Sequence, residues 1–86
     1  MVRIKVCGIT RPEDATKAVR LGAWALGFIF HKKSPRFIGP AKAKKIIEAL
    51  PPFIAPVGVF VDNNAGAVRD IIGHCGLHAV DRKSVV

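Results

Sequence analysis

Short apolar runs alternate along the chain with longer segments in which apolar residues recur at helical spacing. The runs are rich in β-branched and aromatic residues and end at glycine or polar residues, which is typical of strands. They predict strands at residues 2–6, 25–30 and 56–61, and the opening of a fourth at residues 77–80. The polar residues 81–84 then interrupt the apolar run.

The segments between the runs predict three helices. Thr10 and Glu13 have the spacing of a capping box at the start of the first helix, and Gly22 is predicted to end it. The other two helices are predicted over residues 40–50 and from the capping link at residues 62–64 to about residue 74. Strands alternating with helices predict an α/β fold with a parallel sheet and right-handed crossovers.

The length of the chain limits how this sheet can be organised. A chain of 86 residues forms one small domain and leaves no room for a second. Its nearly continuous apolar strands indicate a sheet that is covered on both faces. The pattern fits either a small open sheet of the flavodoxin kind or the first half of an eight-stranded (β/α) barrel, and it does not choose between them.

The charge distribution, the hydropathy and the cysteines bear on whether the protein binds nucleic acid, enters a membrane or is secreted. The formal net charge of +8 suggests nucleic-acid binding, but the basic residues are scattered and no aromatic side chains lie among them. Solvated helix faces are the better interpretation, for example for Lys42, Lys44 and Lys45, and we expect no nucleic-acid partner. The apolar stretch at residues 21–30 is too short to span a bilayer, and residues 1–5 do not resemble a signal peptide. We therefore expect a cytoplasmic protein with no membrane contact and with two free thiols.

Candidate chemical groups follow the predicted strands at their carboxyl ends, where parallel sheets bind ligands. Cys7 ends the first strand, and it is either a thiolate base near Lys5, on the same strand face, or a small buried apolar side chain. Arg36 lies in the basic loop after the second strand and could bind a carboxylate through two hydrogen bonds, or be merely solvated. Asp62 follows the third strand.

Other residues with ligand-like chemistry do not form a recognisable site. His74, Cys75 and His78 lack a fourth partner and lie across a predicted helix end, so we expect no metal. His31 is interpreted as a loop residue. The spacing of Gly22 and Gly27 does not match a nucleotide-binding loop.

Several segments, taken in order and with their spacing, resemble a known family over residues 2 to about 80. The segments are Lys5-Val6-Cys7-Gly8-Ile9-Thr10, Gly22-Ala23, Ala25-Leu26-Gly27-Phe28-Ile29-Phe30, Lys33-Ser34-Pro35-Arg36, Leu50-Pro51-Pro52-Phe53 and Val57-Gly58-Val59-Phe60-Val61. The combination of the Cys-Gly-Ile-Thr turn with the Ser-Pro-Arg loop is specific. It is similar to the phosphoribosylanthranilate isomerase family.

This resemblance implies a fold, a reaction and two site residues. The fold is the N-terminal half of a (β/α)8 TIM barrel, with residues 1–86 as one partial domain that stops in or just after the fourth strand. The reaction is the Amadori rearrangement of N-(5′-phosphoribosyl)anthranilate in tryptophan biosynthesis, which uses no metal or cofactor. Cys7 matches the general base that takes the C2′ proton, and Arg36 matches the residue that holds the anthranilate carboxylate.

The sequence departs from the family after the fourth strand begins. Asp81 and the residues after it replace the family's Gln-Leu-His-Gly, and neither the general acid nor the phosphate-binding loops have a counterpart in this chain. We therefore expect the 86-residue chain alone to have little or no activity. An incomplete barrel should also expose its inner face and its end strands, which predicts self-association. The alternative function is a non-catalytic open α/β module that binds phosphate groups or nucleic acid.

Overall fold

The computed structural model describes residues 3–83, which form alternating strands and helices. The elements are β1 (Ile4–Cys7), α1 (Pro12–Arg20), β2 (Ala23–Ile29), α2 (Pro40–Glu48), β3 (Ala55–Val61), α3 (Ala65–Cys75) and β4 (Ala79–Lys83). The four strands form one parallel sheet in the order β1-β2-β3-β4, which confirms the predicted α/β alternation.

The hydrophobic core lies between the sheet and the helices. Leu26, Phe28 and Phe60 point from the two central strands to this side, and all three are almost fully buried. The rings of Phe30 and Phe60 stack with 5.3 Å between their centroids. Small residues of α1 and α2, including Ala15 and Ala43, let the helices approach the sheet closely. Burial of these side chains is the main force that holds the helices on the sheet.

The opposite face of the sheet carries the alternate residues of each strand. In register they form rows across the sheet, such as Cys7, Gly27, Val57 and Ala79. We call this the barrel-facing side. The prediction that it is exposed is wrong at its centre, because Ala25, Val57 and Val59 are buried by their neighbours on adjacent strands. It holds at the edge, where Lys5 and Cys7 on β1 are exposed.

The helix ends agree with the sequence at α3 but not at α1. Asn64 caps α3 by accepting a hydrogen bond from the amide of Ala67 at 2.7 Å, and Gly76 ends the helix in the left-handed conformation. The capping box predicted for Thr10 is wrong. The N-cap is Arg11, which makes no capping bond, because the turn after β1 extends one residue further and α1 begins at Pro12.

Pairing with neighbouring strands shifts several predicted boundaries. β2 begins at Ala23, which pairs with Ile4, and β3 begins at Ala55, which pairs with Ala25. The fourth strand, predicted to open at residues 77–80, begins at Ala79 and continues through the polar residues 81–83, which pair with residues 59–61 of β3. Hydrogen bonds to a parallel partner need no apolar side chain. The predicted first residue of β1, Val2, and the last of the polar residues after the apolar run, Ser84, lie outside the described residues.

Candidate active site

Two hydrogen bonds to one carbonyl group of β2 connect the end of β1 to that strand. The backbone amides of Gly8 and Ile9 both donate to the carbonyl oxygen of Gly27, at 3.0 and 3.1 Å. Gly8 has a φ of +87°, a conformation that L side chains rarely adopt. This turn ends β1 and fixes the direction in which the last side chain of the strand, Cys7, projects.

The thiol of Cys7 lies over Gly27 of the adjacent strand. The two residues are partners in the parallel register, and a Cβ atom at Gly27 would lie 2.7 Å from the Cys7 sulfur and 3.2 Å from its Cα. The sulfur therefore occupies the space that a side chain on β2 would otherwise fill. Cys7 is exposed, so the alternative prediction of a buried apolar cysteine is wrong.

Turns in the loop after β2 bring Arg36 back toward the strand tips. The backbone amide of Arg36 donates to the side-chain oxygen of Ser34 at 3.1 Å, and the amide of Phe37 donates to the Ser34 carbonyl at 3.1 Å. The loop then pairs with β2 through Ile29 and Phe37, and buried Ile38 anchors its far end. These contacts hold the basic loop against the sheet.

The side chain of Arg36 lies across Gly8. A Cβ atom at Gly8 would be 2.5 Å from Cδ of Arg36 and 3.1 Å from its Nη1. Cys7, Gly8 and Arg36 line one open cavity of about 410 Å³, which continues from the strand tips along the edge of α1. Cys7, at the end of β1, and Arg36, in the loop after β2, therefore border a shared space.

Positive charge dominates the surroundings of this cavity. Lys17 and Arg36 line it, and the adjacent loop carries exposed Lys32 and Lys33. The carboxylate of Asp14 also lines the cavity, but it accepts two hydrogen bonds of 3.1 Å from the guanidinium of Arg11. These bonds lower the pKa of Asp14, so it stays ionised and paired. The cavity suits an anionic ligand.

A larger groove of about 460 Å³ lies elsewhere, between α1 and α2. It is lined mainly by apolar side chains such as Val19 and Ile46, and neither Cys7 nor Arg36 reaches it. Its lining offers little acid, base or nucleophilic chemistry. We assign the candidate site to the smaller cavity, where the reactive groups converge.

The remaining sequence candidates do not join this site. Asp62 follows β3 in a left-handed conformation with a φ of 53°, but it does not line the cavity. Cys75 is buried and donates from its sulfur to the carbonyl of Pro40 at 3.4 Å, and burial raises the pKa of this thiol. His74 and His78 are exposed, and His31 accepts a turn hydrogen bond through its carbonyl. Within residues 3–83, no three His, Cys, Asp or Glu side chains cluster as metal ligands.

Two glycines of the site were missed by the sequence reasoning. Gly27 enters the sequence predictions only through its spacing from Gly22 and within a segment of the family resemblance, and Gly8 enters only within the Cys-Gly-Ile-Thr turn. An isolated glycine inside a strand indicates that another group approaches the backbone closely. That signal could have identified Gly27 as the residue against which the Cys7 thiol packs.

Comparison with known proteins identifies the family to which this arrangement belongs. The family model for N-(5′-phosphoribosyl)anthranilate (PRA) isomerase matches residues 4–81. This chain belongs to the PRA isomerase family. The match covers all seven helices and strands except the end of β4, and it includes Cys7, Gly8, Gly27 and Arg36.

Curated members of the PRA isomerase family resemble the chain closely but are longer. The isomerase of Chlorobaculum parvum is 56% identical over 77 residues, which are 90% of this chain and 35% of that protein. The isomerase of Thermotoga neapolitana is 52% identical over 80 residues, or 93% of this chain and 39% of that protein. The chain thus spans somewhat more than a third of the length of these relatives.

Solved PRA isomerases have the same arrangement of strands and helices. The enzyme from Thermotoga maritima superposes with a TM-score of 0.96 at 44% identity, over all of this chain and 42% of that one. A second structure, a PRA isomerase in complex with reduced 1-(o-carboxyphenylamino)-1-deoxyribulose 5-phosphate, has the same TM-score and identity. The four-stranded sheet is therefore the N-terminal part of a TIM barrel, as the resemblance implied. No helix within residues 3–83 is both long and apolar enough to cross a membrane.

Proposed function

We propose that this chain supplies the proton-abstracting and carboxylate-binding part of a PRA isomerase active site. The observation that carries the proposal is the convergence of Cys7 and Arg36 in one cavity at the carboxyl end of β1. That end of the strands is where barrel enzymes place their reactive groups. The substrate is N-(5′-phosphoribosyl)anthranilate, a small phosphorylated molecule with an aromatic carboxylate.

Cys7 acts as the general base in this proposal. Protonation of the ring oxygen by an acid opens the sugar and leaves a C1′–nitrogen double bond. The Cys7 thiolate then takes the C2′ proton, the C2′–H electrons form a C1′–C2′ double bond, and the nitrogen recovers its electron pair. Conversion of the C2′ enol to a ketone and protonation of C1′ complete the isomerisation. The sulfur suits this role because Cys7 is exposed and its thiol lies over Gly27 at the end of β1.

Arg36 holds the substrate carboxylate. Its guanidinium offers two parallel N–H donors, and its stem is held against Gly8 beside the reacting thiol. Two hydrogen bonds to the anthranilate carboxylate would fix the aromatic end of the substrate and direct the sugar toward Cys7. The exposed Lys32 and Lys33 add positive charge in the loop that carries Arg36, which favours the approach of a ligand with both carboxylate and phosphate.

Other parts of the proposal concern the whole polypeptide. Residues 1–86 constitute one partial barrel domain, and the acid that opens the ring and the groups that bind the phosphate come from outside residues 3–83. The two free thiols suit a reducing compartment, so we assign the protein to the cytoplasm. The barrel-facing side, whose edge strands β1 and β4 take no further strand among residues 3–83, mediates self-association.

Binding of a product analogue to the 86-residue chain tests the proposed site. The reduced carboxyphenylamino-deoxyribulose phosphate is added to isotope-labelled protein, and the amide signals of Gly8 and Gly27 are followed by NMR. We expect both signals to shift. Arg36→Ala should weaken binding by about tenfold or more, because a charge-assisted bidentate contact is lost.

Two control variants separate the proposed roles. Lys33→Ala, in the same loop, should change the dissociation constant by about twofold at most, since an exposed lysine contributes mainly long-range attraction. Cys7→Ala should bind the analogue nearly as well as the parent, because a general base acts in the transition state. If Arg36→Ala and Lys33→Ala weaken binding equally, Arg36 is not the carboxylate ligand. Salt-dependent binding of random-sequence DNA with no response to the analogue would instead favour the non-catalytic binding module.

A further inference from the structure

The helical side of the fold carries a groove that the proposed isomerase site does not use. α2 packs against α3, whereas α1 and α2 make few contacts with each other. The gap between α1 and α2 is the cavity of about 460 Å³ described above, and we call it the α1–α2 groove. Its volume lies in the range of about 300–1,000 Å³ that is typical of sites for small molecules.

The floor of the α1–α2 groove is apolar. Ala15 and Val19 lie one turn apart on α1, and Ile46 on α2 lies four residues before Leu50. Ala15 and Ile46 are buried, and Val19 and Leu50 are half-buried. A ligand in the groove would therefore cover apolar surface along both helices.

The rims of the groove carry positive charge on both sides. Thr16 and Arg20 form the rim on α1, Lys45 and Ala49 form the rim at α2, and all four are exposed. Among residues 3–83, no Asp or Glu lines the groove, and neither Arg20 nor Lys45 has a salt-bridge partner. The hydroxyl of Thr16 donates to the carbonyl of Pro12 at 3.1 Å. The two cations are therefore the polar groups that the rims offer to a ligand.

Further units of the barrel do not close this groove. In a (β/α)8 barrel each helix follows its strand around an outer ring. β1 and β2 are neighbours in the sheet, so α1 and α2 belong to consecutive units. The helix of any additional unit then lies beside α3 or on the far side of α1. The α1–α2 groove therefore lies on the outer surface of a barrel of any length.

We propose that the α1–α2 groove binds an amphiphilic carboxylate with a straight acyl chain. The charge of the rims selects an anionic head group, which Arg20 and Lys45 bind from opposite sides. Each helix has nine residues and is about 13 Å long, so the groove suits an elongated apolar body. Contact of the acyl chain with Val19, Ile46 and Leu50 supplies most of the affinity. Neither Cys7 nor Arg36 takes part, so the site is independent of the proposed function.

Titration of the chain with sodium decanoate, below its micelle concentration, tests whether the groove is a site. We expect the methyl signals of Val19 and Ile46 to shift and saturate together in NMR spectra of isotope-labelled protein. Octanoate, which is two CH₂ groups shorter, should bind about fivefold more weakly, because less apolar surface is buried. Shifts confined to Val57 and Val59, on the barrel-facing side, would overturn the inference.

Paired variants test the role of the two cations. Arg20→Gln/Lys45→Gln should weaken decanoate binding by about fivefold, and binding of the neutral decanol should stay within about twofold of the parent, since only the ion pairs are lost. Lys42→Gln/Arg69→Gln removes the same charge from exposed positions outside the groove and should change neither affinity by more than about twofold. Equal losses of decanoate binding in the two double variants would show that net charge alone attracts it and would contradict the assigned roles.

A bulky side chain on the rim tests the location of the acyl chain. Ala49→Phe should weaken binding of both decanoate and decanol by about tenfold, because the ring occupies the space of the chain. Ala41→Phe, at an exposed position on α2 outside the groove, is the matched control and should bind both like the parent. Urea unfolding checks that both variants are folded. If an acidic amphipathic peptide shifts the Val19 and Ile46 signals and decanoate does not, the occupant is a partner helix and the inference is wrong.

Discussion

At the scale of single residues, the site depends on two glycines, whose lack of a side chain leaves space for reactive neighbours. Gly27 leaves room for the Cys7 thiol, and Gly8 leaves room for the Arg36 stem while adopting a positive φ. Neither glycine contributes chemistry of its own. Each determines where a reactive neighbour lies, so a substitution at either position should act on the site through packing.

Gly27→Ala should destabilise the chain and displace the thiol. The new methyl group would lie 2.7 Å from the Cys7 sulfur and 3.2 Å from the Cys7 Cα, and the backbone atom cannot move freely. We expect a loss of about 1–3 kcal/mol in the free energy of unfolding, measured with urea. Gly73→Ala in α3 is the control, since no atom lies within 4 Å of the new methyl group and the change should stabilise the helix by about 0.5–1 kcal/mol. Equal effects at the two positions would show that the close contact at Gly27 does not matter.

At the scale of the elements, α1 and α3 start in different ways. Asn64 makes a capping hydrogen bond, whereas Thr10 lies outside the N-cap position. Asn64→Ala should therefore cost about 1 kcal/mol of stability, and Thr10→Ala should cost less than about 0.5 kcal/mol. Thermal or urea unfolding of both variants measures the difference. A larger loss for Thr10→Ala would restore the capping box that the sequence predicted.

The start of α1 should respond to acid through Asp14. Hydrogen bonds from Arg11 lower the pKa of Asp14 below its ordinary value of 3.8. The group therefore stabilises the fold at pH values above about 4, and this contribution is lost as the pH falls through its lowered pKa. The stability difference between the parent and Asp14→Asn should shrink from pH 7 to pH 3, as followed by urea unfolding at each pH. A difference that does not change with pH would rule out the ion pair as its source.

At the scale of the whole molecule, the proposed function assigns only part of a catalytic apparatus to the described residues. Residues 3–83 hold the proposed base and carboxylate ligand, but the proposed acid and phosphate contacts lie outside them. We expect the 86-residue chain to have a kcat/KM at least about 1000-fold below that of a complete relative, because positioning and acid catalysis each contribute large factors. Conversion of N-(5′-phosphoribosyl)anthranilate, assayed beside the complete enzyme, measures this. Turnover within tenfold of the relative would contradict it.

Much of the fold could be predicted from the sequence because its signals are local. Apolar runs, helical periodicity and the glycines that end α1 and α3 identified all seven elements. The errors lie where hydrogen bonds to another strand decide the outcome, as at Asp81, a polar residue that β3 holds in a strand. The N-cap predicted at Thr10 was wrong for a related reason. The path of the turn after β1 is fixed by hydrogen bonds to the carbonyl of Gly27 on β2.

The sequence by itself determined the order of strands and helices, the parallel class of the sheet and the identity of Cys7 and Arg36 as candidates, since each depends on neighbouring residues or on a specific motif. Only the tertiary structure decided that the thiol is exposed, that it rests on Gly27 and that Arg36 lies across Gly8. These facts depend on strand register and loop closure, which join residues 20 or more positions apart in the chain. Contacts of that kind leave no periodic pattern along a single sequence.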